Sequence, residues 1–179
     1  MSLLGRRLLR LYSVGYAAAT GVQIGRETVI RPGARVRREG GGVIVIGEYC
    51  KIHPGAMLLS YGGTIRLGDR CSVNPYSVLY GQGGLNIGNG VRIAAHCVLI
   101  PANHKFRGGG RIHEQGETRE GIVIEDDVWL GAGVRVLDGA RIERGCVVGA
   151  GAVVRGVLSK FGVYGGVPAS RIGTREVAA

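Results

Sequence analysis

The chain has 179 residues, which suits one domain with a sizeable core, and its apolar content of 45 % argues against disorder. Its 34 glycines, against a usual ~7 %, argue against a helix bundle, and no run approaches the ~20 apolar residues of a membrane span. The net charge of +10 predicts an anionic partner, but the ten aromatic residues include only two Phe and one Trp, and no nucleic-acid recognition motif occurs. We therefore expect a soluble fold rich in strands and turns that does not bind nucleic acid.

The first predicted element is an amphipathic helical segment in residues 1–23, with Ser2 placed to cap its N-terminus. Its apolar face contains Leu4, Leu8, Leu11 and Tyr12, and its basic face contains Arg6, Arg7 and Arg10. Two interpretations remain open. The helix covers the open end of the fold that follows, or it lies on anionic lipid as a peripheral membrane contact.

A six-residue repeat fills residues 24–158. An aliphatic residue returns at every sixth position in six groups of three, namely Ile24, Ile30, Val36; Ile46, Ile52, Leu58; Leu67, Val73, Leu79; Ile87, Ile93, Leu99; Ile124, Leu130, Val136; and Ile142, Val148, Val154. Because a short strand and a tight turn fit six residues, three such units make one triangular coil. The repeat therefore predicts an all-β fold, a parallel β-helix of about six triangular coils.

Small residues accompany the repeat. Glycine often follows the aliphatic directly, at Gly25, Gly47, Gly68, Gly88, Gly131 and Gly149, where we expect it to permit a positive φ in the turn. The fourth position after the aliphatic is small and includes all four cysteines, Cys50, Cys71, Cys97 and Cys146. Their spacing lacks any C-x-x-C pattern, so we predict that they are structural and bind no metal.

One long loop interrupts the repeat, at about residues 103–121, and the chain ends in a predicted C-terminal tail at 159–179. The surplus residues between coils all fall at one corner, between the third strand of a coil and the first strand of the next. A loop of this length in a compact domain is usually functional or disordered, and insertions on one edge of a solenoid often mark its binding face.

The segments "IEDDVWLGAGVRVLDGARIERGCVVGAGAVV" (124–154) and "GVYGGVPASRIG" (162–173) resemble the hexapeptide-repeat acyltransferases. Within that family the chain is most similar to the maltose/galactoside O-acetyltransferases and to the O-acetyltransferases of surface polysaccharides. The resemblance implies a left-handed β-helix and a homotrimer. It also implies active sites between neighbouring prisms, with acetyl-CoA lying along the groove.

The resemblance also assigns the acceptor side of the site. It implies that His104, in "LIPANHKF", is the catalytic base, since an imidazole with a pKa near 7 can take the proton of an attacking hydroxyl. Asn74, in "LGDRCSVN", is implied to position the acceptor. His53 occupies the equivalent position one coil earlier, so it is a further candidate for binding the acceptor.

On the donor side, the resemblance implies that Ala132 and Ala150 bind the pantetheine arm through their backbones. Gly131 and Gly149 precede them, and Trp129 is expected near the groove or as a packing residue at its edge. The phosphates of the coenzyme require cations, for which the candidates are Arg155, Lys160 and Arg171.

The implied function is a CoA-dependent O-acetyltransferase that uses acetyl-CoA and no metal. The implied acceptor is a sugar or glycan precursor in surface-polysaccharide or glycolipid synthesis, in the cytoplasm or on the inner face of the membrane. One alternative is an N-acetyltransferase of a nucleotide-linked amino sugar, and another is a non-enzymatic scaffold. A zinc enzyme of the γ-carbonic anhydrase type is disfavoured because His53, His96, His104 and His113 lack its spacing.

Overall fold

The computed structural model describes residues 3–176, so the predicted cap at Ser2 lies outside the described residues. One α-helix, α1 (Leu3–Thr20), precedes the strands, and two 3-10 helices span Glu39–Gly41 and Ile112–Glu114. No helix within residues 3–176 is both long enough and apolar enough to cross a membrane.

Short strands make up the rest of the fold. In chain order they are β1 (Gln23–Ile24), β2 (Val29–Ile30), β3 (Arg35–Arg37), β4 (Val43–Ile46), β5 (Lys51–Ile52), β6 (Met57–Leu59), β7 (Thr64–Leu67), β8 (Ser72–Val73), β9 (Val78–Tyr80), β10 (Leu85–Ile87), β11 (Arg92–Ile93), β12 (Val98–Leu99), β13 (Asn103–His104), β14 (Glu117–Thr118), β15 (Ile122–Ile124), β16 (Trp129–Leu130), β17 (Arg135–Val136), β18 (Arg141–Ile142), β19 (Val147–Val148), β20 (Val153–Val154), β21 (Val157–Leu158), β22 (Gly162–Gly165) and β23 (Ser170–Thr174).

Three parallel sheets form the sides of a triangular prism. The first sheet has the order β1-β4-β7-β10-β15-β18-β21, the second β2-β5-β8-β11-β16-β19-β22-β23, and the third β3-β6-β9-β12-β17-β20. Apart from β13 and β14, which pair only with each other, each run of three successive strands visits the three sheets once. This gives six complete coils, and β21 with β22 begins a seventh. Within the predicted tail, β22 continues the second sheet and β23 pairs with it in the antiparallel direction.

The repeated aliphatic residues form the core, as the six-residue period predicts. Seventeen of the eighteen are buried, and Ile24, in the first coil, is partly buried and packs against the same cluster. The four cysteines are free and buried at the corners. The Cys71 amide donates to Cys50 Sγ at 3.4 Å, and hydrogen bonding with Cys50, followed by burial, raises the pKa of the Cys71 thiol. This thiol therefore stays protonated, as a structural role requires.

The glycines that follow the aliphatic residues do not adopt a positive φ, so the expectation for them was wrong. They are needed for close approach between coils: a Cβ on Gly25 would lie 2.6 Å from the Glu48 backbone nitrogen. The positive φ occurs two residues later, where the turn reverses, at residues such as Tyr49 (φ 55°) and Arg70 (φ 56°).

The helix α1 covers the first coil through polar contacts. Ser13 Oγ accepts a hydrogen bond from the Ile30 amide at 3.0 Å, and Tyr16 Oη accepts one from the Val36 amide at 2.9 Å. These hydroxyls therefore satisfy strand amides at the end of the second and third sheets, which is what the capping interpretation requires. The packed face is not the leucine face, because Leu4, Leu8 and Leu11 remain exposed.

Candidate active site

The corner between the second and third sheets aligns most of the candidate site residues. The residues that follow the second-sheet strands are stacked one above another from coil to coil. The amide of each donates to a carbonyl of the second-sheet strand in the next coil, as Arg31 does to Ile52 and His53 to Val73. These residues, which we call the corner column, are Arg31, His53, Asn74, Ala94, Gly131 and Gly149. The acceptor candidates and the donor candidates therefore share one edge of the prism, at different heights.

The corner column changes character halfway along its length. Its lower half carries the tripeptides Arg-Pro-Gly (31–33), His-Pro-Gly (53–55) and Asn-Pro-Tyr (74–76), whereas its upper half carries Ala-Ala-His (94–96), Gly-Ala-Gly (131–133) and Gly-Ala-Gly (149–151). Long polar side chains thus give way to hydrogen and methyl, and proline gives way to alanine. Proline has no N–H to donate, whereas alanine has one.

The upper half presents exposed backbone groups. Ala132 and Ala150 are exposed, and within residues 3–176 neither amide nitrogen donates to a protein group. A Cβ on Gly131 would lie 2.7 Å from the Ala150 nitrogen, so the glycine lets the coils stack closely. Trp129, beside the column on the outer face of the second sheet, has 54 % of its surface exposed and pairs in register with Arg92 and Val147. These features fit an extended amide-containing ligand such as the pantetheine arm.

Asn74 lies where the two halves meet. Its Nδ2 donates to the Ile93 carbonyl at 2.8 Å, which fixes the amide and leaves Oδ1 to accept a hydrogen bond from a ligand hydroxyl. His53, one coil below, is partly buried. Burial, and then the charges of Arg31 and Lys51, lower the pKa of His53, so its imidazole is neutral at pH 7.

His104 lies in the long loop, which contains a small hairpin. β13 and β14 pair in the antiparallel direction, with His104 opposite Glu117. The imidazole is exposed and lies in an open depression of about 440 Å³ that Lys105, Phe106 and Thr118 also line. The loop leaves the prism after β12, at the corner between the third and first sheets. His104 and Asn74 therefore occupy different corners of one chain.

Asp138 anchors this hairpin to the prism, and the sequence analysis did not identify it. Its Oδ2 accepts a hydrogen bond from Thr118 Oγ1 at 2.8 Å, and its Oδ1 accepts one from the Gly121 amide at 2.9 Å. Glu117 is held separately, through a 3.1 Å ion pair with Arg119. Asp138 has the turn sequence Leu-Asp-Gly around it, which gave no reason to connect it to a loop twenty residues earlier.

The three predicted phosphate-binding cations lie apart. Arg155 follows β20 at the corner between the third and first sheets, whereas Lys160 follows β21 at the corner between the first and second. Arg171 is on β23, where it pairs with Tyr164, and its guanidinium bonds to Gly173 and Thr174. All three are exposed. Only Arg171 lies near the upper end of the corner column.

A basic depression at the foot of the corner column was also missed. Its lining includes Arg31, Lys51, Arg70 and Arg92. Lys51 and Arg92 come one residue before the buried aliphatic of their strands, so the two-residue alternation of a strand could have placed them on the outer face of one sheet. No group of three or more potential metal ligands occurs within residues 3–176.

Residues 121–156 match the family profile described as bacterial transferase hexapeptide (six repeats). A probable acetyltransferase of Mycobacterium tuberculosis is 34 % identical over 95 residues, which are 52 % of this chain and 32 % of that protein. A protein of Escherichia coli K12, provisionally named a lipopolysaccharide biosynthesis O-acetyl transferase, is 51 % identical over 51 residues, 28 % of this chain and 26 % of that protein. The matched segments thus span a third or less of these two relatives.

Among solved structures, the N-acyltransferase AntD from Bacillus cereus, in complex with dTDP and 3-hydroxybutyryl-CoA, has a TM-score of 0.80. It is 23 % identical over 92 % of this chain and 89 % of that one. At this identity the similarity concerns the fold. Together with the hexapeptide profile, it confirms the predicted left-handed parallel β-helix. The profile and the two acetyltransferase relatives confirm the resemblance to the hexapeptide-repeat acyltransferases.

Proposed function

We propose that this hexapeptide-repeat β-helix is a CoA-dependent O-acetyltransferase that acylates a sugar hydroxyl. The observation that carries the proposal is the corner column, where a smooth track with two exposed alanine amides meets a polar half at Asn74. The two relatives that bear the names of acetyltransferases support the same reaction class. The O-acetyl transferase of Escherichia coli supports a hydroxyl acceptor in polysaccharide synthesis.

The donor lies along the upper half in this proposal. The amides of Ala132 and Ala150 donate hydrogen bonds to the pantetheine carbonyls, and the absence of side chains at Gly131 and Gly149 gives the arm room. When bound, acetyl-CoA supplies a thioester with an electrophilic carbonyl carbon and a sulfur leaving group. The column residues of this half, Ala94, Gly131 and Gly149, carry side chains no larger than a methyl group.

His104 supplies the base. Its imidazole accepts the proton of the sugar hydroxyl as the oxygen attacks, and then returns that proton to the departing sulfur. Asn74 Oδ1 accepts a hydrogen bond from a neighbouring hydroxyl and so orients the sugar. Asp138 keeps the hairpin with His104 attached to the prism through Thr118 and Gly121.

A second copy of the chain completes the site. One side of the prism separates the corners of His104 and Asn74, and six residues at ~3.3 Å each give that side a length of roughly 20 Å. A homotrimer, in which the loop of one copy reaches the corner column of the next, places both groups at one acceptor. Light scattering should then give a mass three times the 18.8 kDa of one chain.

The test combines calorimetry of acetyl-CoA with a thiol-release assay on the wild type, His104→Ala and His113→Ala. His113 is the matched control, because it is an exposed histidine of the same loop. We expect all three proteins to bind acetyl-CoA and only His104→Ala to lose thiol release, by about 10²–10⁴-fold. A wild type that does not bind acetyl-CoA would overturn the proposal and favour a scaffold.

Product analysis separates the two acyltransferase hypotheses. An ester formed on a sugar hydroxyl supports the O-acetyltransferase. An amide formed only on a nucleotide-linked amino sugar would replace it with the N-acetyltransferase. Hydroxylamine cleaves the ester and leaves the amide, so one treatment of the isolated product distinguishes them.

A further inference from the structure

A strongly basic depression adjoins the lower half of the corner column. Two neighbouring hollows of about 510 Å³ each share Arg31, Tyr49 and Lys51 in their linings. The first lies between α1 and the outer face of the second sheet, and the second continues upward to His53 and Asn74. We call this surface the basic groove and define it by Arg31, Tyr49, Lys51, His53, Asn74 and Arg92.

Among the described residues, no carboxylate forms an ion pair with Arg31, Lys51 or Arg92, and Arg92 donates instead to the Arg70 carbonyl. The nearby carboxylates are occupied, since Glu27 pairs with Arg10, and Glu48 pairs with Arg26 at 3.1 Å. Within residues 3–176, the side chains of Arg31 and Lys51 form no ion pair and no hydrogen bond. The chain has 23 basic and 13 acidic residues, so acidic residues are available, but they do not neutralise this surface.

The guanidinium of Arg31 is the strongest indication that the groove binds an anion. Within residues 3–176 its Nε is buried and has no hydrogen-bond partner, and a buried unsatisfied donor destabilises the folded chain. Arg31 lines both hollows, so its guanidinium is placed to bind an oxyanion that enters them. His53 is affected by the same positive charges. Burial lowers its pKa most, and the charges of Arg31 and Lys51 lower it further.

We propose that the basic groove binds the diphosphate of a diphosphate-linked sugar, and that this is the acceptor. This inference rests on the proposed acyl transfer. The groove reaches Asn74 and Arg92 at its upper end. A diphosphate held by Arg31 and Lys51, in the two coils below Asn74, therefore places the attached sugar where the two halves of the column meet. The diphosphate of the donor itself is a poor candidate, because the exposed alanine amides lie on the opposite side of Asn74.

The primary test is calorimetric titration with inorganic pyrophosphate in the absence of an acyl donor. We expect the wild type to bind, and Arg31→Gln and Lys51→Gln each to bind about tenfold more weakly, because each loses one charge-assisted contact. Arg66→Gln removes the same charge from the exposed face of the first sheet and should leave binding unchanged. Failure of the wild type to bind, or equal weakening in all three variants, would overturn the assignment.

Two further arms identify the ligand more closely. Tighter binding of UDP than of pyrophosphate indicates a nucleoside-linked sugar, whereas tighter binding of a short polyprenyl diphosphate in detergent indicates a lipid-linked one. Saturating acetyl-CoA should leave pyrophosphate binding intact, and competition would instead assign the groove to the donor and overturn the proposal. Acetyl-CoA binding, measured on the same variants, should not change, so failure of the acyl-transfer proposal would be seen separately.

Discussion

The lower and upper halves of the corner column differ in every property that matters for a ligand, although the same six-residue repeat builds both. Arg31, His53 and Asn74 carry long polar side chains, and each is followed by a proline. Ala94, Gly131 and Gly149 carry a methyl group or hydrogen, and each is followed by an alanine. Because the core ladder is the same throughout, the difference reflects what each half contacts outside the prism. It shows that a repeat protein can specialise one edge without altering its fold.

The strongest test asks whether His104 of one copy and Asn74 of a second copy act together at one site. His104→Ala and Asn74→Ala should each be nearly inactive alone. When the two chains are denatured together and refolded, activity should return to about a quarter of the wild-type rate, because each mixed ring of three retains one intact site. The measurement is the rate of thiol release with acceptor, at fixed total protein. No recovery in trimers shown by mass to be mixed would place both groups in the same chain.

Filling the upper half should weaken donor binding. Ala132→Leu places a branched side chain on the exposed track, and overpacking of ~1–3 kcal/mol corresponds to roughly a 5- to 150-fold loss of acetyl-CoA affinity. Pro54→Leu is the matched control, because Pro54 is exposed at the equivalent position of the lower half. Calorimetric titration of both variants with acetyl-CoA measures the two affinities. Equal losses would mean that the halves do not divide donor from acceptor.

Releasing the hairpin should affect turnover more than binding. Asp138→Ala removes the acceptor of two hydrogen bonds to the loop, at Thr118 and Gly121. Each hydrogen bond to a charged group contributes ~1.5–3 kcal/mol to holding the hairpin. Because the released hairpin still visits its anchored position part of the time, we expect kcat to fall by only about 5- to 20-fold. Acetyl-CoA affinity should stay the same, and proteolysis within 103–121 should accelerate. A loss of donor affinity with an unchanged rate of proteolysis would contradict this positioning role.

The smallest expected effect concerns His53 and pH. Its pKa is lowered in the folded chain, so the unfolded chain binds more protons as the pH falls through ~6.5 toward the folded value. Its contribution to stability is therefore present above that window and is lost as the pH falls through it. NMR titration of the imidazole should show the lowered pKa, and pyrophosphate should raise it by stabilising the imidazolium. A pKa that pyrophosphate leaves unchanged would place the anion away from His53.

Much of the fold could be predicted because each coil repeats one local requirement. The aliphatic positions were right from Ile30 to Val154, since a narrow core admits one inward side chain per strand. The glycines after them were correctly singled out but for the wrong reason. A glycine that permits close approach and one that permits a positive φ look alike in a sequence, and Gly25 is distinguished only by the Glu48 backbone beside it.

The site could be predicted less completely, because its parts come together through stacking. Asn74 and His104 were predicted through resemblance and remain predictions. Asp138 and Arg31 were not predicted, since each acts on residues about twenty positions away. An outward-facing cation looks the same in a sequence whether an acid lies beside it or not. Only the neighbouring coil shows that Arg26 has an acidic partner and that Lys51 has none in the part of the chain that the structure describes.

The sequence by itself determined the coil, because the size and spacing of the side chains decide which strand faces the core. It also determined the order of polar and small residues along the corner. The tertiary structure alone decided that these residues form one column, that the loop folds as an anchored hairpin at another corner, and that uncompensated cations collect beneath α1. These features depend on which coil lies above which, and that register is set by hydrogen bonds between residues far apart in the chain.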